Sequence, residues 1–135
     1  MADPSSTRPS RKVLIVDDSA TTREAVRLIL EDEGFDVIAP DSVFGVTTLV
    51  MSERPDLILM DVNMPALEGN RIVELLRSRR WGQDAVVLLH SSLPEAELQQ
   101  LTEDCGADGY LKKTLDPELL PRQVRDWLNK RTQQG

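Results

Sequence analysis

The 135-residue chain is poor in the residues that usually announce chemistry. It has one cysteine, Cys105, which excludes an internal disulfide and a cysteine-rich zinc site. It has one histidine, His90, which excludes a multi-histidine metal centre. A serine-histidine-aspartate mechanism would have to use that single ring. Aromatic residues make up only 4% of the chain. No apolar run approaches the roughly 18 residues of a membrane span, and the start, MADPSSTRPSR, has no hydrophobic stretch of a secretory signal. The expected location is therefore cytoplasmic, with no membrane contact.

Charge is plentiful but one-sided. There are 16 basic and 23 acidic residues, a net −7. Residues 1–12 hold three of the basic residues and one acid, so the rest of the chain is at −9. Affinity for nucleic-acid backbones comes mainly from Lys and Arg, so no nucleic-acid partner is expected. The length suits one domain. Residues 1–11, rich in Pro, Ser and Arg and without apolar period, read as a flexible tail. Residues 12–131 read as the folded domain, and 132–135 as a short C-terminal tail.

Within 12–131 the pattern alternates. Apolar runs at Val13–Val16, Phe35–Ala39, Leu57–Met60, Ala85–Leu89 and Tyr110–Leu111 predict five strands. Between them lie helical periods. Ser19 caps the first helix, with Ala25, Val26, Ile29 and Leu30 facing the core and Gly34 as its stop. Ser42–Glu53 is a weaker helix because its β-branched residues lose side-chain freedom there. The third carries Ile72, Val73, Leu75 and Leu76, and the cluster Arg77, Arg79, Arg80 and Trp81 reads as its solvated, dipole-favoured end. Pro94 starts the fourth, with Leu98, Leu101 and Cys105 on one stripe and Gly106 as its stop. Asp116 and Pro117 open the fifth, with Leu120, Val124, Trp127 and Leu128 inward. Pro121 implies either a kink or a start nearer Glu118. Strand–helix alternation implies right-handed crossovers and an α/β, doubly wound, five-stranded parallel sheet, order 2-1-3-4-5, flavodoxin-like (βα)5.

In such a sheet, ligands bind beyond the carboxyl ends of the strands. Those ends offer Asp17 and Asp18, Asp61, Ser91 and Lys113. Three converging carboxylates cannot all stay ionised in a half-buried crevice: two at 4 Å repel by about 4 kcal/mol at an effective dielectric near 20. Either a proton or a cation must relieve them. An all-oxygen set with room for water suits Mg2+.

VLIVDDS at 13–19, LMDVNMPALEG at 59–69, LLHSS at 88–92 and GADGYLKK at 106–113 resemble the receiver domain of two-component response regulators. Asp61 to Ser91 spans 30 positions and Ser91 to Lys113 spans 22. The resemblance implies a phosphorelay protein in which Asp61 is the phosphoacceptor and a histidine kinase or phosphotransfer protein is the donor. It implies Mg2+, with Mn2+ as a substitute, held by Asp17, Asp18, Asp61 and the backbone carbonyl of Asn63. Ser91 becomes the switch hydroxyl, Lys113 the phosphate-binding lysine and Tyr110 the switch aromatic. The small Ser92 leaves room for a donor. A downstream protein partner would meet the face of helix four, strand five and helix five, and the chain would be a monomer or a phosphorylation-dependent dimer. Such a protein accepts a phosphoryl group rather than turning over a separate substrate. With the chain ending at Gly135, output is expected through protein contact. Asn63 and Leu93 would flank the water that hydrolyses the acyl phosphate, and the apolar Leu93 implies a long-lived phosphoryl group.

One position departs from the pattern. Thr114 stands where the family usually has a cis-proline after the lysine, so a trans bond is expected, because a cis bond before a non-proline residue costs about 2.5–4 kcal/mol. That departure supports the alternative, a receiver-like interaction module working without phosphorylation. A phosphatase or flavin protein on a similar sheet is disfavoured by Asn63, where a second catalytic acid would stand, and by the lack of a phosphate loop after the first strand.

Overall fold

The computed structural model describes residues 11–64 and 68–134. The tail predicted at 1–11 lies, Arg11 apart, outside them, as do Pro65 and Gly135. The strands are β1 (Lys12–Val16), β2 (Asp36–Ile38), β3 (Leu57–Met60), β4 (Val86–Ser91) and β5 (Gly109–Lys112). The helices are α1 (Ala20–Asp32), α2 (Val46–Glu53), α3 (Gly69–Arg77), α4 (Glu95–Cys105) and α5 (Leu119–Gln134). All strand pairs are parallel, in the order β2-β1-β3-β4-β5.

The three central strands are buried on both faces, which is why they are continuous apolar runs. Alternate residues feed two cores. Leu14, Ile58, Met60, Val87 and Leu89 pack with Val46 and Val50 of α2, Ile72 and Leu76 of α3 and Leu98 of α4. Val13, Ile15, Leu59 and Leu88 pack with Val26 and Leu30 of α1 and Leu120, Val124 and Leu128 of α5. Cys105 is one of the small apolar residues of the first core.

The local expectations need refining at several points. The second helix starts at Val46, not Ser42, because Gly45 takes a left-handed φ of 84° and breaks the chain into a turn just before it. The fifth starts at Leu119. That is next to Glu118, the later of the two starts expected: Asp116 Oδ1 accepts the N–H groups of Glu118 and Leu119 and its carbonyl accepts the Leu120 N–H, but Pro121 has no N–H to continue the series to the Pro117 carbonyl, so the regular helix begins only beyond that turn. Leu75 points outward, 46% exposed. Arg77 is no solvated end: its guanidinium donates to the carbonyls of Gly82, Ala85 and Gly106 and pairs with Asp108 at 2.6 Å. α5 also runs on to Gln134, past the boundary drawn at 131. Trp127 is half-buried at the edge of the second core.

Candidate phosphoryl-transfer site

Register builds the site. Val16 of β1, Met60 of β3, Leu89 of β4 and Tyr110 of β5 lie side by side across the sheet. One step further along each chain come Asp17, Asp61 and His90, while Lys113 N–H reaches back to the Ser91 carbonyl at 2.9 Å. Side chains alternate faces, so Asp17, Asp61, His90 and Lys113 continue the α1/α5 side of the sheet. Lys112 falls on the other side, where its ammonium donates to the carbonyls of Ser92 and Leu93.

Carboxylate oxygens of Asp17, Asp18 and Asp61 all lie within 4.8 Å of one another. Asp17 and Asp61 are buried, whereas Asp18 is exposed. The loops hold them in place through their own backbone. Asp17 Oδ1 accepts from Ser19 N–H at 2.9 Å, and Asp61 Oδ1 from Asn63 N–H at 3.1 Å. Arg23 of α1 donates to the Asp17 carbonyl, and Asp61 N–H donates to the Val16 carbonyl. The start of α3 closes in from the side: a Cβ on Gly69 would lie 1.9 Å from the Asp61 carbonyl oxygen, so no larger residue fits. Gly69, Arg23 and His90 had no assigned part in the site on sequence grounds. Gly69 and His90 sat in recognisable motifs, and Arg23 did not.

Lys113 Nζ is 3.1 Å from Asp17 Oδ2 and 3.5 Å from Asp61 Oδ2. No cis peptide bond occurs among the described residues, so the lysine reaches both acids across an ordinary trans link to Thr114. Its approach to Asp17 Oδ2 is an ion pair without hydrogen-bond alignment, and that buried oxygen has no hydrogen-bond donor. Burial pushes the Asp61 carboxyl above its ordinary value. The Asn63 N–H and the Lys113 charge oppose that rise, and the Asp17 charge adds to it. His90 is 2% exposed, and burial, aided by the Lys113 charge, lowers its imidazole to about 4. Ser91 is fully buried, its Oγ accepting from Leu93 N–H at 3.1 Å. Tyr110 is half-buried against the α2–α4 core.

A hard divalent cation fits these groups. The donors are all oxygen, their charge exceeds what one lysine neutralises, and a buried carboxylate oxygen stands without a hydrogen bond. Asp17, Asp18 and Asp61 would hold it. The set matches no zinc chemistry, since neither His90 nor Cys105 joins it.

An acid cluster at the strand ends of a five-stranded 2-1-3-4-5 sheet, facing a lysine from the last strand, defines a phosphoacceptor class. Residues 13–125 match the model of the response regulator receiver domain, and the chain belongs to that family. It is 32% identical over 121 residues to response regulator MprA of Mycolicibacterium vanbaalenii, covering 90% of this chain and 52% of that protein. It is 30% identical over 131 residues to sensor histidine kinase GacS of Pseudomonas protegens, covering 93% of this chain and 14% of the kinase. The chain thus spans about half of such regulators and a small part of such kinases. Chemotaxis protein CheY4 of Vibrio cholerae superposes with a TM-score of 0.81 at 30% identity, covering 87% of this chain and 98% of that one.

Proposed function

We propose that the chain is a phosphorelay switch that takes a phosphoryl group on Asp61 from a histidine kinase or phosphotransfer protein in the cytoplasm. The observation that carries this is the buried Asp61 carboxylate, crowded by two further acids and met by Lys113 at 3.5 Å. A carboxylate oxygen of Asp61 attacks phosphorus. A P–O bond forms, the P–N bond to the donor histidine breaks, and the imidazole leaves with the electron pair. Lys113 balances charge on the transferring oxygens. Asp17 and Asp18, with Asp61 and the Asn63 carbonyl, would hold a Mg2+ (or Mn2+), which would supply the remaining charge neutralisation. No separate substrate is turned over. The only further chemistry is hydrolysis of the acyl phosphate.

Once Asp61 carries the group, Ser91 Oγ exchanges the Leu93 N–H for a phosphoryl oxygen, and Tyr110 moves with it. That biases the surface of α4, β5 and α5 between two states, changing its affinity for a protein partner or a second copy. Acetyl phosphate with Mg2+ should add one phosphoryl group by mass, and Asp61→Asn should abolish the addition. Uptake that persists in Asp61→Asn, or no uptake by the parent, would overturn the reading and favour a module working without phosphorylation.

Leu93, half-buried against the core, presents no group that can orient water. The Leu93→Glu variant should lose its phosphoryl group faster than the parent in a phosphate-release assay. Equal decay would remove this part of the proposal.

A further inference from the structure

Among the described residues, Phe44, Met51 and Leu75 are exposed by 72%, 48% and 46%. They are not scattered. Phe44 and Leu75 line one groove between α2 and α3, of about 350 Å3, and Met51 and Leu75 line its continuation. Phe44, Thr47 and Met51 form one wall. Arg71, Leu75 and Arg79, spaced four apart, form the other. No acid lines either stretch. Arg71 has one loose partner, Glu68 at 3.7 Å, and Arg79 has no ion pair among the described residues. On a chain of net charge −7, this is a local reversal of sign around an apolar floor.

We propose that the α2–α3 groove docks an amphipathic helix of a partner protein, whose apolar stripe enters between Phe44, Met51 and Leu75 while flanking Asp or Glu residues meet Arg71 and Arg79. A helix laid in a groove is read through apolar anchors at i, i+3 or i+4 and i+7 of its own stripe. The two arginines select the acidic flank. The chain's own segments fit poorly. MADPSSTRPS has a single acid, balanced by a single arginine, and is nearly devoid of aliphatic residues. The exposed Leu28 of α1 is flanked by Glu24 and Glu31, which Arg27 already occupies. The groove touches none of α4, β5 or α5, so docking is independent of the phosphorylation state.

The test uses a labelled synthetic helix of about five turns, with a leucine stripe flanked by Glu, and its twin with Lys in place of Glu. Fluorescence anisotropy should show the Glu peptide binding the parent at least tenfold tighter than the Lys peptide. Binding should drop at least tenfold in Leu75→Gln and in Phe44→Ser, and the double variant Arg71→Glu with Arg79→Glu should reverse the preference. All four positions are exposed, and thermal melts matching the parent confirm folding. Asp61→Asn should bind as the parent does, which separates this proposal from the phosphoacceptor reading. The proposal is overturned by equal affinity for the two peptides, or by binding that survives both apolar variants. It is also overturned by a dimer that Leu75→Gln dissolves, or by Leu75-dependent binding to anionic lipid vesicles in preference to the Glu peptide.

Discussion

The two ends of the sheet treat charge in opposite ways. At the end where the strands begin, charges are matched almost atom for atom. Arg77 spends its donors on three carbonyls and Asp108, and Asp108 accepts the Val87 N–H at 2.7 Å as well. Lys12 pairs with Glu53, and its N–H meets Asp56. At the end where the strands finish, three acids share one lysine, and Asp17 Oδ2 and His90 Nε2 are buried without hydrogen bonds. Native interiors pair nearly all buried polar atoms, so unpaired ones mark a place kept for something else. The first end is built to hold the fold together. The second is built to gain a ligand.

The largest effect should come from breaking the matched end. Arg77→Met keeps the aliphatic stem but strands Asp108 and three carbonyls. A loss of about 3 kcal/mol is expected, as for removing one partner of a half-buried, hydrogen-bonded pair. Urea unfolding checks it. A loss below about 1 kcal/mol would mean that water replaces the guanidinium without penalty, and the contrast between the ends would weaken.

The pH response should come from the unmatched end. His90 titrates near 4 in the folded chain, chiefly through burial, and near 6.5 when unfolded. The unfolded state therefore binds more protons between those values. Stability from this group is complete above pH 6.5 and falls as pH drops towards 4, by about 3 kcal/mol at most. Asp61 has the opposite sign. Burial raises its folded value, so its contribution is full below 3.8 and is lost as pH rises through that folded value. His90→Leu should flatten the fall in urea midpoint between pH 6.5 and 4.5. An unchanged fall in that variant would assign the acid sensitivity elsewhere.

Most of this architecture was legible in the sequence, and the gaps have physical causes. The doubly buried strands announced themselves as apolar runs, and the polar residues that ended them were the site: Asp17 and Asp61 each follow such a run directly, and Ser91 follows one residue later, after His90. The exposure of Leu75 was not legible, because periodicity says that a residue is apolar, not which neighbour covers it. Arg77 was misread because its partners lie in two loops, the carbonyls of Gly82 and Ala85 in one and the Gly106 carbonyl and Asp108 carboxylate in the other, which no local pattern encodes. His90 looked like an ordinary strand residue. Only the register, which sets it level with Asp61, shows that it lies at the floor of the acid pocket.

The smallest effect is also the one that most directly separates the two ends. If the crowded acids are relieved by a cation, Mg2+ should stabilise the folded chain by RT ln(1 + [Mg]/Kd), about 1.4 kcal/mol at tenfold excess over Kd. Asp17→Asn removes one of the repelling charges and one ligand together. It should therefore be more stable than the parent without metal, by about 1 kcal/mol, and gain little or nothing when Mg2+ is added. Substituting Asp56, an acid at the opposite end, by Asn should leave the Mg2+ response intact. Melts of the three proteins with and without Mg2+ decide the point. An Asp17→Asn chain less stable than its metal-free parent would mean that the Lys113 pairing outweighs the repulsion, and that the acid pocket, like Arg77 and Asp108, is held together by its own charges.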